Sequence, residues 1–200
     1  MEINNYLAVT SREELRAWLH VHGRTQKCCW VTISLRPSPD TLLYLDAVED
    51  SLCYGWIDGI KKKISENQLM QRLSPRSKQS SWTELNKERV RRLETLGLMH
   101  DEGRKVLPVM DLNAFIIDDV IERRLKDNPV TYTNFLAFPA LYQRIRIDTI
   151  QSVKHQPALF QHRLDKLITH TEANQMYGQW HDHGRLLDYN DEHSTNITEI

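Results

Sequence analysis

The sequence runs to 200 residues, 40% hydrophobic and 26% charged, the composition of one large or two small globular domains with a sizeable core. Lys and Arg number 26 against 27 Asp and Glu, so a net charge of -1 gives the whole molecule no attraction for nucleic acid or an anionic membrane. No apolar run of about eighteen residues marks a membrane span, and Met1 to Thr10 lack the basic-then-apolar pattern of a secretion signal.

The first helix signal is Thr10-Ser11-Arg12-Glu13-Glu14, two overlapping capping boxes. Leu15, Trp18, Leu19 and His22 follow at helical spacing, and Gly23 supplies a stop. Cys28 to Leu35 is β-branched and aromatic and ends at Pro37 and Pro39, which predicts a strand. Asp40 is placed to cap a second helix running to about Tyr54, with Leu42, Leu45, Val48, Leu52 and Cys53 on one side and Gly55 closing it. Trp56 to Leu73 reads as one or two short strands with a turn near Asp58-Gly59. Ser74 to Ser80 contains Pro75 and no apolar side chain, and a loop is expected there. Ser81-Trp82-Thr83-Glu84 is a further capping box. It opens a helix whose Trp82, Leu85, Val90, Leu93 and Leu96 face inward and which Gly97 ends.

Beyond Pro108 the texture changes. Residues 113–175 hold three prolines and no glycine, and they predict a helical bundle. One helix runs from near Asp118 to just before Asn128-Pro129, and a second covers about 129–137. A third starts at Pro139 with Leu141, Ile145, Ile147 and Ile150 inward. Pro157 opens a fourth, whose stripe is Leu159, Phe160, Leu164, Leu167 and Ile168. From Gly178 the chain is polar, and residues 190–200 read as a frayed tail. The fold class that follows is α+β: a small mixed or antiparallel sheet with helices in the N-terminal half, and a helical bundle in the C-terminal half. The expected divisions are a core domain over 1–108, a helical subdomain over 109–178 and a polar tail over 179–200.

Charge is unevenly placed. Residues 59–92 carry ten basic side chains (Lys61, Lys62, Lys63, Arg72, Arg76, Lys78, Lys87, Arg89, Arg91, Arg92) against three acidic ones (Glu66, Glu84, Glu88), a local +7 that leaves -8 for the rest. Such a face on a neutral protein points to a small anionic molecule or an acidic protein surface as its partner. The alternative is that these are solvated cations pairing with the acidic remainder. Trp82, Asn86 and Arg89 stand four and three residues apart and share one helical face. The loop carrying Arg76, Ser77, Ser80 and Ser81 feeds that helix's N-terminus, where free N–H groups favour an anion. Arginine forks, hydroxyls, an indole and a carboxamide suit a carboxylate or phosphate. A plainer reading stands beside this one, in which Ser81 only caps, Trp82 is core and the arginines are surface.

Nucleophile and metal chemistry find less support. Cys53 falls on the apolar side of its helix beside Leu52, as a buried small hydrophobe does. Cys28 and Cys29 lie in a strand without a CxxC partner, and three cysteines make no disulfide framework, which points to a reduced, cytoplasmic protein. Ser80 and Ser81 have no histidine near them in sequence. His181-Asp182-His183 is the most metal-like cluster, yet no further ligand stands at a recognised spacing, so a surface cluster is expected and no metal or cofactor is assigned. Seven glycines in the whole chain also disfavour a Gly-rich phosphate cradle.

Three motifs carry a resemblance. Leu52-Cys53-Tyr54-Gly55-Trp56-Ile57-Asp58-Gly59, then Gln71-Arg72-Leu73-Ser74-Pro75-Arg76, then Ser80-Ser81-Trp82-Thr83-Glu84-Leu85-Asn86 occur in that order and spacing. This resembles the YdeI/OmpD-associated family, named for a proposed role in bacteriocin protection, whose members carry a similar LCYGWIDG, QRFTPR, S-x-W and a following Asn. Phe138-Pro139-Ala140-Leu141-Tyr142-Gln143-Arg144-Ile145-Arg146-Ile147-Asp148, with Met176-Tyr177-Gly178 and Gly184-Arg185-Leu186, looks like the second half of such proteins, so the resemblance covers nearly the whole chain. Leu73-Ser74 stands where Phe-Thr is common. Gly97-Leu98-Met99-His100-Asp101-Glu102-Gly103 replaces the usual GRM-x-PAG, which loses an arginine and a proline. The resemblance implies a fold and a candidate site rather than a reaction.

Asp58 has two readings: a carboxylate that orients Arg72 or Arg76, or acts as acid/base if buried, and one half of an Asp-Gly turn. Trp56 and Trp82 either frame a flat ligand or belong to the core. The candidate ligand-binding set is therefore Trp56, Asp58, Arg72, Arg76, Ser80, Ser81, Trp82, Asn86 and Arg89, with no catalytic residue assigned. The expected function is binding of a small anionic ligand or acidic partner surface through this basic loop and helix, with stress or bacteriocin protection as the setting the family's name implies. The alternative is an enzyme acting on an anionic small molecule through Asp58, Arg72 and Arg76. Nucleic-acid binding through residues 59–92 comes last, because no reader motif is present.

Overall fold

The computed structural model describes residues 3–77, 79–187 and 189. The chain divides into two compact units, one of residues 1–81 with 89–108 and one of residues 82–88 with 109–200. Residues 190–200, the expected frayed tail, lie outside the described residues.

In the first unit β1 (Tyr6–Leu7) leads into α1 (Arg12–His22) and then β2 (Cys29–Ser34). β3 (Leu42–Leu43) opens directly into α2 (Tyr44–Cys53), β4 (Trp56–Lys63) and β5 (Gln68–Pro75) form a hairpin, and α3 (Glu84–Thr95) and the short α4 (Asp101–Arg104) follow. Helix α3 contributes its residues up to Glu88 to the second unit and the remainder to the first. The sheet runs in the order β1-β2-β5-β4. β1 and β3 both pair parallel with β2, on the edge that antiparallel β5 leaves open. Cys29, Trp30, Val31, Ile33 and Ser34 are buried, so β2 is enclosed on both faces. Around it Leu15, Leu19, Leu42, Val48, Leu52, Trp56, Leu73, Val90 and Leu93 complete the core.

Local chemistry explains the element boundaries. Ser11 caps α1 by accepting the Glu14 N–H at 3.3 Å, while the Glu14 carboxylate accepts the Thr10 N–H at 2.7 Å. Asp40 does not cap α2. It stands in left-handed backbone at φ 50°, and Leu42 and Leu43 pair with Ile33 and Ser34 as a strand before the helix begins at Tyr44. Nor is Asp58-Gly59 the hairpin turn. β4 passes through it to Lys63 with a register shift between Asp58 and Lys61, and the chain reverses beyond Ile64, where the N–H groups of Ile64 and Ser65 donate to the Gln68 carbonyl. The bulge is held by the fully buried Gln71, whose amide donates to the carbonyls of Gly59 at 3.0 Å and Arg72 at 2.9 Å. β5 continues to Pro75, so the following loop is shorter than expected. Leu96, expected to face inward, is exposed at the end of α3.

The second unit is helical. After a 3₁₀ turn at Leu112–Ala114 come α5 (Asp119–Lys126), α6 (Pro129–Ala137), α7 (Ala140–Gln151) and α8 (Pro157–Glu172). Asp118 caps α5 by accepting the Val120 N–H at 2.9 Å, and Asn128 caps α6 by accepting the Val130 N–H at 2.9 Å. Ile121, Leu125, Phe135, Tyr142, Ile145, Ile147, Ile150, Leu164 and Leu167 form its core, closed by Trp180, which meets Tyr142 edge-on at 5.7 Å. A small mixed sheet with helices before a helical bundle is the α+β class expected from the sequence. Among the described residues no helix is long and apolar enough to cross a membrane.

Candidate functional site

The residues singled out in the sequence fall into different environments. Trp56 is 1% exposed, its indole N–H donates to the Gly23 carbonyl at 3.0 Å, and Trp18 meets it edge-on at 5.7 Å, so it is core and not a stacking platform. Asp58 is half-buried and accepts the Tyr44 hydroxyl at 2.8 Å, while Lys61 lies 4.0 Å over the Tyr44 ring. Arg72, half-buried in β5, stands opposite Trp30 of β2.

Arg76 is 7% exposed and donates to the Ser81 carbonyl at 3.1 Å. Burial brings its guanidinium down to about 10, against the pull of Asp58 in the other direction. Ser80 turns its hydroxyl back to the Ser77 N–H at 3.2 Å. Ser81 is exposed and engages Arg76 through its carbonyl. Arg89 is buried on α3. Trp82 and Asn86 are half-buried and belong to the second unit.

The N-terminus of α3 was expected to await an anion. Thr83 rather than Ser81 caps it, accepting the Asn86 N–H at 3.2 Å, and the Glu84 N–H already holds the carboxylate of Asp148 at 3.0 Å. The protein's own side chain therefore occupies the position an external anion would take.

A different group of residues in the first unit forms a cleft. Leu19, His20, Val21, Gly23 and Arg24 of α1 and its end, Tyr54 at the end of α2, and Met99, His100, Asp101, Glu102 and Arg104 line a cavity of about 450 Å³. The His100 ring lies flat on Tyr54 with centroids 4.2 Å apart and planes 21° apart, and His20 meets His100 at 5.7 Å. Two glycines make this convergence sterically accessible. A Cβ on Gly103 would sit 2.3 Å from the Cys53 carbonyl oxygen, and one on Gly55, already at φ +75°, would sit 2.8 Å from that of Glu102. The His100 N–H donates to the Cys53 carbonyl at 3.1 Å and fixes the two segments together.

Charge around the rings is ordered. Arg16 lies 5.7 Å from the Tyr54 ring centre and is anchored to Asp50 at 3.0 Å and the Leu98 carbonyl at 3.1 Å. Arg24 pairs with Glu102 at 2.8 Å, and Arg104 pairs with Glu94 at 2.7 Å and Asp101 at 3.1 Å. Burial lowers the affinity of His100 for a proton, and Arg16, His20 and Arg104 lower it further against Asp101. The imidazole is thus neutral at pH 7 in a field that is positive where the ring sits. No Ser, Thr or Cys nucleophile is among the residues lining this cleft, and burial raises the neighbouring Cys53 thiol to about 11. The arrangement is equipped for recognition by stacking and hydrogen bonding.

Among the described residues, no group of three or more His, Cys, Asp and Glu side chains is placed to hold a metal ion. In the His181-Asp182-His183 cluster the His181 Nδ1 instead accepts the Gly184 N–H at 2.8 Å.

A family model described as Bacteriocin-protection, YdeI or OmpD-Associated matches residues 114–174. Over that segment the chain is similar to the YdeI/OmpD-associated family, which supports the family expected from the sequence for part of the chain. The match takes in α5 to α8 and the whole of Phe138 to Asp148. It does not reach the motifs between Leu52 and Asn86. These fall within residues 7–106, half of the chain, which match a domain of unknown function (DUF8412), and the chain belongs to that family. No curated protein and no solved structure matches the chain. The YdeI/OmpD-associated segment therefore lies in the helical unit, whereas the ring-lined cleft lies in the span of the other family.

Sequence reasoning did not single out His20 or His100, and it used Tyr54 as a helix boundary and part of a motif, not as a site residue. A usable signal was present: Tyr54-Gly55 and His100 to Gly103 are two glycine-punctuated segments, and each glycine is required by a close approach to the other segment.

Proposed function

We propose that this protein binds a small anionic molecule with a planar group in the cleft formed by α1, Tyr54 and the segment 99–104. It acts as a cytoplasmic binding protein in the stress or bacteriocin-protection setting that the YdeI/OmpD-associated family's name suggests. The observation that carries the reading is the His100–Tyr54 stack, with His20 at 5.7 Å, inside a cavity of about 450 Å³. A flat group can extend the stack, and the imidazoles supply donors to an acid. The positive field at His100 favours a negative guest, and protonation of the ring on binding would add a charge-assisted hydrogen bond. The segment from Trp56 to Arg89 supports this less well, since Trp56 and Arg76 are buried against the protein's own groups. Free Cys28, Cys29 and Cys53 fit a reducing compartment.

Thermal-shift titration with benzoate, inorganic phosphate and benzylamine tests the proposal. A ligand of the native state raises the melting temperature, its stabilisation growing with free ligand concentration L as RT ln(1 + L/Kd). Benzoate is expected to give the largest rise and benzylamine none, with the benzoate effect lost in a folded His20→Ala/His100→Ala variant. A rise that survives in that variant, or no rise with either anion, overturns the reading.

A further inference from the structure

The two edges of the sheet in the first unit are finished differently. On the β2 side the two-residue strands β1 and β3 lie along the outer edge and pair with it. On the other side the eight-residue β4 ends the order β1-β2-β5-β4, and among the described residues no strand pairs with its outer edge. The phase of the hairpin fixes which backbone groups that edge presents. The Ile64 N–H donates to the Gln68 carbonyl at 3.0 Å, so Lys62, two residues back and opposite Met70, turns its backbone groups inward toward β5. Lys61 and Lys63 then turn their N–H and C=O groups outward. Spaced two residues apart, these are the groups that an added strand pairs with.

The side chains around this edge carry one sign of charge. Successive residues of a strand point to opposite faces. The Lys61 ammonium sits 4.0 Å over the Tyr44 ring and that of Lys62 5.4 Å over the Trp30 ring, so cations stand on both faces beside the edge. Lys61 and Lys63 are exposed, and neither has an acidic partner among the described residues. Ile60 and Ile64 close the run at its two ends, 54% and 50% exposed. Lysines on an edge strand oppose pairing with the same edge of a second copy, because like charges would then face each other. The same lysines attract a strand of the opposite sign.

From this juxtaposition we propose that β4 is a docking edge for an extended acidic segment of a partner protein, which joins the sheet beside Lys61 and Lys63. The segment's backbone meets the outward N–H and C=O groups of those two residues. Its carboxylates meet Lys61 and Lys63 on one face and Lys62 on the other, and its apolar residues cover Ile60 and Ile64. Main-chain bonding supplies the demand for an extended chain, and charge supplies the choice among extended chains. The register shift between Asp58 and Lys61 limits the docked stretch at that end, since a bulge interrupts the ladder. This edge is independent of the ring-lined cleft.

The test titrates the full chain with the fluorescent peptide Ile-Glu-Glu-Glu-Ile, its basic counterpart Ile-Lys-Lys-Lys-Ile and the fully N-methylated acidic peptide. Anisotropy reads affinity and amide chemical shifts read position. The acidic peptide is expected to bind with shifts centred on Lys61 to Ile64, and the basic peptide is expected not to bind. The N-methylated form keeps the charge but loses the ladder donors, and should bind about tenfold or more weakly. Lys61→Glu/Lys63→Glu, at two exposed positions, should reverse the preference between the acidic and basic peptides. Equal affinity for the N-methylated peptide, shifts centred elsewhere, or no binding of the acidic peptide overturns the proposal. A thymidylate oligomer that shifts the same amides as strongly would mark a general polyanion surface and overturn it too. Concentration-dependent shifts at Lys61 and Lys63 without any peptide would assign the edge to a second copy instead.

Discussion

Asp148 on α7 holds the backbone N–H of Glu84, the first residue of α3, at 3.0 Å. Burial raises the pKa of this carboxyl above the ordinary value near 3.8, outweighing the Glu84 N–H, which lowers it, while the Glu84 carboxylate raises it and Lys87 lowers it. A raised acid binds its proton more tightly in the folded chain, so stability falls as pH climbs above 3.8 toward the folded pKa. Asp148→Asn keeps an acceptor for the N–H and removes the buried charge. Its melting temperature is expected to match the wild type near pH 3.5 and to exceed it by pH 7. Asp148→Ala, which also loses the acceptor, should lie about 1 kcal/mol below the Asn variant at both ends. Parallel pH profiles for wild type and the Asn variant would contradict the assignment.

Asp50 is fully buried on α2 and faces two arginines of α1, Arg12 at 2.8 Å and Arg16 at 3.0 Å. Glu49 next to it pairs with Arg12 at 3.3 Å and with Arg92 of α3 at 2.9 Å. Removing the shared acid leaves two guanidinium groups facing each other across a site built for a negative charge. Asp50→Asn is therefore expected to lower stability by about 2–3 kcal/mol, less than for a fully buried pair because Arg12 and Arg16 keep part of their hydration. The shift of the urea midpoint at constant slope measures it. A loss below about 0.5 kcal/mol would mean the cluster behaves as a surface network.

The helical half is legible in the sequence because its boundaries are marked by local chemistry. Asp118 and Asn128 are side-chain caps, and Pro129 and Pro157 stand in first turns where a missing N–H costs nothing. The sheet is less legible. Asp58-Gly59 carries a strong local turn signal, yet a buried Gln71 on the neighbouring strand satisfies the carbonyls there and turns it into a bulge. That partner is distant in sequence and no local rule points to it. Asp40 fails as a cap for a similar reason, since Leu42 and Leu43 find a parallel partner in β2. The cleft is the least legible feature, because His20, Tyr54 and His100 come from three separate segments and meet only after the two glycines have let those segments close up. The same holds for Asp148, which reaches the start of a helix 64 residues earlier.

Thiol chemistry gives a further expectation. Burial pushes Cys29 up to about 12 and Cys53 up to about 11, the latter against the pull of Arg16. At pH 8 roughly one part in a thousand or less of either is thiolate, the reactive form. Cys28, partly exposed, is the remaining free cysteine. An aromatic disulfide reagent at pH 8 should titrate one thiol per native chain and three in guanidinium chloride, with Cys28→Ser bringing the native count to zero. Rapid native labelling of Cys53 would show that the end of α2 opens.

His100 supplies the last pH dependence. Burial first, and then Arg16, His20 and Arg104, hold its pKa below the ordinary imidazole value near 6.5. A base with a lowered folded pKa is harder to protonate in the native state than in the unfolded chain. Its contribution to stability is whole above 6.5 and is lost as pH falls through and below that value, because the unfolded state takes up the proton first. His100→Gln removes the titration while keeping a polar planar group. Between pH 8 and pH 5.5 the wild type should therefore lose more melting temperature than the variant. An anion seated against the ring acts in the opposite direction, raising the affinity of His100 for its proton, so that binding takes protons up. Benzoate affinity should then rise as pH falls from 7.5 to 6 in the wild type and stay flat in His100→Gln. A flat profile in the wild type would place the anion away from this imidazole.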